Sequence, residues 1–216
     1  MQLDSLKEEQ IKLSKKVLIE PISREINLIG GCDVSYSKRR DRMVAVCAVF
    51  SFPELRLLEW KYSIGKVEFP YIPTYLSLRE LPLLLHAFKK LKEKPDVIIV
   101  DGQGVLHPRG LGLASHFGVV LDIPSIGCAK NSLIGDFSLP GIRKGDWTPV
   151  FVNSEIRGAC VRTRDKVKPV FVSPGHRVSL DDSIYYVLKT ALKFRLPEPI
   201  RLADHLSRRI VKISEN

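Results

Sequence analysis

The sequence predicts an α/β fold in which three antiparallel strands are followed by parallel strands in one mixed sheet, with helices on both faces. Three observations lead there. Residues 26–35, 43–52 and 55–67 are successive β-branched or aromatic runs separated by charged or Pro-containing turns, the pattern of an antiparallel meander. After residue 67 the hydrophobic period alternates between helix and strand spacing, so the later strands are expected to be joined by helices. With 216 residues, 44% of them hydrophobic and 27% charged, the chain matches one ordinary domain, residues 1–216, with enough apolar side chains for a core.

Each element has its own signal. Leu3, Leu6, Leu13, Val17 and Leu18, interleaved with Lys and Glu, predict an opening helix that stops before Pro21. The meander comes next. Residues 75–92 then carry helical spacing, residues 97–100 form a short buried strand, residues 111–121 a helix and residues 125–127 another strand. Further strands are expected at 148–153, 156–163 and 170–173, and helices at 179–194 and 198–212. No repeat, low-complexity tract or long linker divides the chain.

Composition excludes several classes. The longest apolar stretch, residues 43–53, falls short of the roughly 18–20 residues of a membrane helix, and its β-branched alternation reads as a strand. Early acids at Asp4, Glu8 and Glu9, with no apolar signal core, give secretion no support, so a cytoplasmic monomer away from membranes is expected. Cys32, Cys47, Cys128 and Cys160 lie far apart, without a Cys-x-x-Cys pair or a His at zinc-finger spacing, and read as reduced, buried small residues. The 34 Lys+Arg against 24 Asp+Glu leave a net charge of +10, a field that draws polyanions and nucleic acid above all.

Against that basic background, three carboxylates stand where apolar or turn residues are expected. Glu80 falls inside the stripe Leu76, Leu83, Leu84, Ala87, Phe88 and Leu91, where it must be protonated, ion-paired with a base such as Arg79, or bound to a cation. Asp101 ends the strand Val97-Ile98-Ile99-Val100 and precedes Gly102-Gln103-Gly104, at the strand end where α/β sheets bind ligands. Asp33 follows Gly30-Gly31-Cys32, glycines that weaken a strand unless something needs close access to it. Acids on separate elements can converge on magnesium, and manganese is an alternative. Metal-assisted phosphodiester hydrolysis then accounts for an acidic hole inside a basic protein.

At these residues the sequence resembles the endonuclease V family. Gly31-Cys32-Asp33-Val34-Ser35, Phe69-Pro70-Tyr71-Ile72-Pro73 leading to Arg79-Glu80, Asp101-Gly102-Gln103-Gly104 with His107-Pro108-Arg109, Gly127-Cys128-Ala129-Lys130 and Val172-Ser173-Pro174-Gly175-His176 are similar to its motifs and stand in its order, from about residue 31 to the last helix. The resemblance implies a ribonuclease H-like fold and a DNA repair nuclease. Such an enzyme recognises hypoxanthine (deoxyinosine) and cuts the second phosphodiester bond 3′ to it, leaving a 3′-hydroxyl and a 5′-phosphate. It further implies that Asp33, Glu80 and Asp101 are the metal ligands. Asp204 or the adjacent His205 is implied as a further active-site position, with Asp204 favoured by the preceding Arg-Leu-Ala. Lys130 resembles an active-site lysine that steadies phosphate charge or orients water.

Pro70-Tyr71-Ile72-Pro73 resembles a strand-separating wedge, and an aromatic and an aliphatic tip between two φ-restricted prolines suits that task. Thr74 stands after Pro73 where some relatives carry glycine. Gly102 and Gly104 are expected to offer backbone groups to a flipped base, with His107, Leu76 and Leu133 as further pocket contacts and residues 173–176 as a loop near the phosphates. Two alternatives stay open. The same active site can serve an inosine-specific endoribonuclease, and a catalytically silent nucleic-acid-binding module would keep the basic surface but lose carboxylates.

Overall fold

The computed structural model describes residues 3–37, 39 and 41–215. A first helix, α1 (Leu3–Ser14), precedes a meander of β1 (Leu28–Tyr36), β2 (Arg42–Ser51) and β3 (Leu57–Lys66). Then come α2 (Leu76–Lys89), β4 (Val97–Asp101), α3 (Leu113–Leu121) and β5 (Ser125–Ala129). The chain closes with β6 (Trp147–Val152), β7 (Glu155–Val161), β8 (Val170–His176), α4 (Leu180–Thr190) and α5 (Glu198–Glu215). All eight strands form one sheet in the order β3-β2-β1-β4-β5-β8-β7-β6.

The central strands β1, β4 and β5 pair in parallel, flanked by the β1–β2–β3 meander on one side. On the other side β8, β7 and β6 add a second antiparallel set, because β8 runs antiparallel to β5. The strands after the meander are therefore parallel only as far as β5. Period-two patterning marks a strand and its faces but not its neighbour, so the direction of this second set was not readable from local sequence.

Both faces of the sheet are covered, which is why β2 is buried on alternate residues of both parities from Met43 to Phe50. On one face Cys32, Ala45, Cys47, Leu84 and Phe117 pack the sheet against α2 and α3. On the other face Ile29, Ala48, Ile99, Val187 and Ile200 pack it against α4 and α5. Helix α5 lies directly on β1. A Cβ at Gly31 would stand 2.2 Å from the Pro199 carbonyl carbon, so the glycine of β1 admits a helix backbone. No described helix is long and apolar enough to cross a membrane.

Candidate active site

Three carboxylates meet at the carboxyl ends of the central strands. Cys32 pairs with Val100 in the parallel β1–β4 ladder, so the next residues, Asp33 and Asp101, point to the same face, the one covered by α5. Helix α5 turns Ala203 into the core and sets Asp204 beside it. Asp33, Asp101 and Asp204 each offer an oxygen within 4.8 Å of the others. His205, one residue on, is exposed.

Asp33 is nearly buried and accepts a hydrogen bond from Ser207 Oγ at 2.9 Å. Burial pushes its pKa up to about 7, and the charges of Asp101 and Asp204 push the same way against the help of Ser207 and Lys130. Lys130, just past β5, donates to Asp101 Oδ2 at 2.8 Å. Burial works against the Lys130 ammonium, but Asp101 outweighs it and holds the pKa above its usual value. Arg195 fixes the base of that side chain by donating to the Lys130 carbonyl at 2.7 Å. Three acids close together, Asp33 buried and Asp101 and Asp204 half-buried, meet two cations, Lys130 on Asp101 and Arg208 at 2.7 Å from Asp204 Oδ1. The negative charge left over, with its oxygen donors, is the donor chemistry of a hard divalent cation.

Glu80 is buried in α2 as the stripe predicts, but it stands outside this triad. The reason is its layer: α2 packs against the even residues of β1, whereas Asp33 faces α5. Its carboxylate accepts from Tyr36 Oη at 2.6 Å, and burial raises its pKa to about 8, with Asp33 and Asp101 adding to the rise. Arg79 does not pair with it in the expected way. The guanidinium lies 4.6 Å over the Tyr36 ring and donates to the Phe69 carbonyl at 3.1 Å.

Beside the triad lies a pocket of about 360 Å³ that Asp101 and Lys130 share with Tyr71, Leu76, Gly102, His107 and Leu133. Tyr71 is 68% exposed on the connection between β3 and α2, with Pro73 also exposed and Ile72 half-buried. Gly104 differs from the expectation. Its amide donates to Ser173 Oγ at 2.9 Å, its carbonyl accepts from Gly112, and a Cβ would fall 2.0 Å from the Pro174 carbonyl oxygen. Both backbone groups are taken, and the glycine serves close packing on β8. Residues 173–176 likewise form the end of β8, where Gly175 abuts Ser125 and His176 donates to Asp122, so they make no free loop.

His107 lines the pocket wall but spends both ring nitrogens inside the protein. Nε2 donates to the Thr74 carbonyl at 2.9 Å and Nδ1 accepts from the Arg109 amide at 3.2 Å. Burial lowers its pKa to about 4, so the ring is neutral at pH 7. Sequence reasoning missed Tyr36 and Ser207, the hydrogen-bond donors to Glu80 and Asp33. Ser207 was findable, since it lies three residues after Asp204 on the same side of a helix. Tyr36 was not, because its partner lies 44 residues away on another element.

Comparison with known proteins finds relatives in both sequence and fold. A family model described as Endonuclease V matches residues 11–205. The Endonuclease V of Dictyoglomus turgidum is 50% identical over 202 residues, 94% of this chain and 88% of that protein. A crystal structure of the Endonuclease V of Streptomyces avermitilis superposes with a TM-score of 0.94 at 37% identity, covering 100% of this chain and 95% of that one. A Ciona intestinalis Endonuclease V solved with a 23mer DNA containing an inosine followed by a ribo-adenosine matches with a TM-score of 0.86 at 30% identity, over 98% of this chain and 97% of that one.

Proposed function

Because this chain belongs to the Endonuclease V family, we propose that it is a metal-dependent DNA repair endonuclease that finds hypoxanthine in DNA and hydrolyses the second phosphodiester bond on its 3′ side. The observation that carries the reading is the convergence of Asp33, Asp101 and Asp204 within 4.8 Å beside a 360 Å³ pocket edged by exposed Tyr71. The donor set fits magnesium, with manganese accepting the same oxygens. Asp33, Asp101 and Asp204 would hold the ion, and Glu80, the ligand that the resemblance implies, lies outside that group but near enough for the charges of Asp33 and Asp101 to act on it. The ion, when bound, polarises the phosphate and readies a water for attack.

The remaining work falls to the protein's own groups. Lys130 brings a positive charge to the edge of the triad that can meet a phosphate oxygen, and its contact with Asp101 keeps the ammonium in place. Ser207 orients the Asp33 carboxylate toward the cluster. Glu80 stays beside it, accepting from the Tyr36 hydroxyl and kept protonated up to about pH 8 by burial. Tyr71 and Ile72 fill the stack that an extruded base leaves, and Leu76, Gly102 and Leu133 wall the pocket that receives it.

The test is cleavage of matched labelled DNA and RNA strands, each with and without one hypoxanthine, in magnesium and in chelator. The expected result is cutting of the hypoxanthine DNA in magnesium alone, and a loss of about a hundredfold or more in Asp204→Asn with lesion binding retained. Cutting in chelator, or a normal rate in Asp204→Asn, would overturn the metal assignment. Faster cutting of the RNA would move the substrate to the endoribonuclease alternative.

A further inference from the structure

The loop that carries Tyr71 turns on a residue in an unfavourable conformation. Tyr75 donates its amide to the Ile72 carbonyl at 3.0 Å, closing a four-residue turn with Pro73 second and Thr74 third. Thr74 has φ +72°, the value that a type II turn requires at that position and that glycine supplies without steric cost. A β-branched residue there is strained, and it persists only where its surroundings over-determine it.

The surroundings do so. The Thr74 carbonyl accepts from Arg109 Nη2 at 2.8 Å, His107 Nε2 at 2.9 Å and Gln10 Nε2 at 3.3 Å, and Thr74 Oγ1 accepts from Arg109 Nη2 at 2.6 Å. The guanidinium lies 4.4 Å over the Tyr75 ring, and its Nε donates to Gln10 Oε1 at 2.6 Å. Gln10 is 1% exposed, so α1 reaches into this contact with a buried amide. The three clamping residues come from two segments far from the loop in sequence, and none of them is in the carboxylate triad.

We propose that Gln10, His107 and Arg109 are positioning residues: they clamp Thr74 in its left-handed conformation and thereby set the pose of Tyr71 and Ile72 over the pocket. Helix α1 is in this way part of the device that opens the duplex. The inference rests on residues 70–73 acting as the strand-separating tip. It assigns His107 to the loop rather than to the base, and it explains how threonine is tolerated where a glycine is the easy choice.

Two measurements test it. In hydrogen exchange on the free protein, Arg109→Ala should speed exchange of the segment 69–78 about fivefold or more while β1 and β4 keep wild-type rates. Unchanged exchange in that segment would overturn the clamp, whatever the enzyme cuts. In single-turnover cleavage at saturating enzyme, Arg109→Ala should lower the rate on duplex hypoxanthine DNA about tenfold and on the single strand less than about threefold, as Tyr71→Ala should. Glycine at the turn needs no clamp, so in a Thr74→Gly background the duplex loss from Arg109→Ala should shrink to less than about threefold. An equal loss in both backgrounds, or on both substrates, would overturn the positioning role. Should Arg109→Ala not fold, Gln10→Leu removes the α1 arm and is read by the same exchange and the same ratio. If the wild-type protein cuts no hypoxanthine strand, the proposed function fails while exchange still decides the clamp.

Discussion

Glu80 shows most clearly what a single side chain does here. It is a buried carboxyl group that accepts a hydrogen bond from Tyr36 Oη at 2.6 Å, and burial raises its pKa to about 8. A raised acid pKa means the folded metal-free protein holds a proton that the unfolded chain has released. Stability from this group is then complete below the ordinary carboxylate range and is lost as pH rises through about 8. Each pH unit in that window removes up to about 1.4 kcal/mol. In chelator, the wild-type melting temperature is therefore expected to fall between pH 7 and 8.5, and Glu80→Gln, which mimics the protonated acid, should flatten that fall. His107 and His116, with pKa values lowered to about 4, add almost no slope above pH 7, and the remaining groups are common to both proteins. A variant with the wild-type slope would show that Glu80 is already ionised in the free protein. The candidacy of Glu80 was legible because a carboxylate in an apolar stripe violates patterning, whereas its layer was not, since a stripe does not reveal which face of which sheet it meets.

At the scale of elements, the triad depends on how α5 crosses β1. A Cβ at Gly31 would collide with the backbone of Pro199 and Ile200, which cannot swing aside as a side chain can. Helix α5 would have to lift, and it carries both Asp204 and the Ser207 that holds Asp33. Gly31→Ala is thus expected to cost about 3 kcal/mol, seen as a melting temperature lower by roughly 6–12 °C, and to cut the cleavage rate of whatever remains folded. Gly30→Ala is the comparison on the opposite face, because its nearest obstacle is the ring of Pro95 at 2.8 Å, a milder clash than that of Gly31 with the α5 backbone at 2.2 Å. Equal effects at both positions would mean that the helix crossing is not what Gly31 protects. The glycines themselves were conspicuous in the sequence and their purpose was not: close access to β1 was expected for a ligand, and a helix takes it. Asp101, by contrast, was legible at this scale, since a strand that ends in an acid and a glycine loop marks the binding edge of an α/β sheet whatever its neighbours do.

For the whole molecule, the net charge of +10 and the clustered acids have to be considered together. The acids occupy one small concavity, where Lys130 pairs with Asp101 and Arg208 with Asp204, while the chain as a whole carries the basic excess. On the proposed function, the basic field would hold the phosphate backbone without regard to sequence, and the concavity and pocket would choose the position at which the strand is cut. These contributions respond differently to salt. Each phosphate neutralised releases counterions, so the logarithm of the binding constant falls with the logarithm of salt concentration at about 0.9 per contact on duplex DNA. For about four contacts, affinity should drop about a hundredfold between 50 and 200 mM salt. The measurement is equilibrium binding of Asp101→Asn in chelator to a duplex with hypoxanthine and to the same duplex with adenine, over that salt range. Both affinities should fall along parallel lines, leaving their ratio unchanged, because the backbone is the same in each and the pocket contacts displace no counterions. A slope shallower than about −1 would remove the basic exterior from the binding account. A ratio that collapses with salt would place the discrimination in the charged surface instead of the pocket between Tyr71 and Lys130.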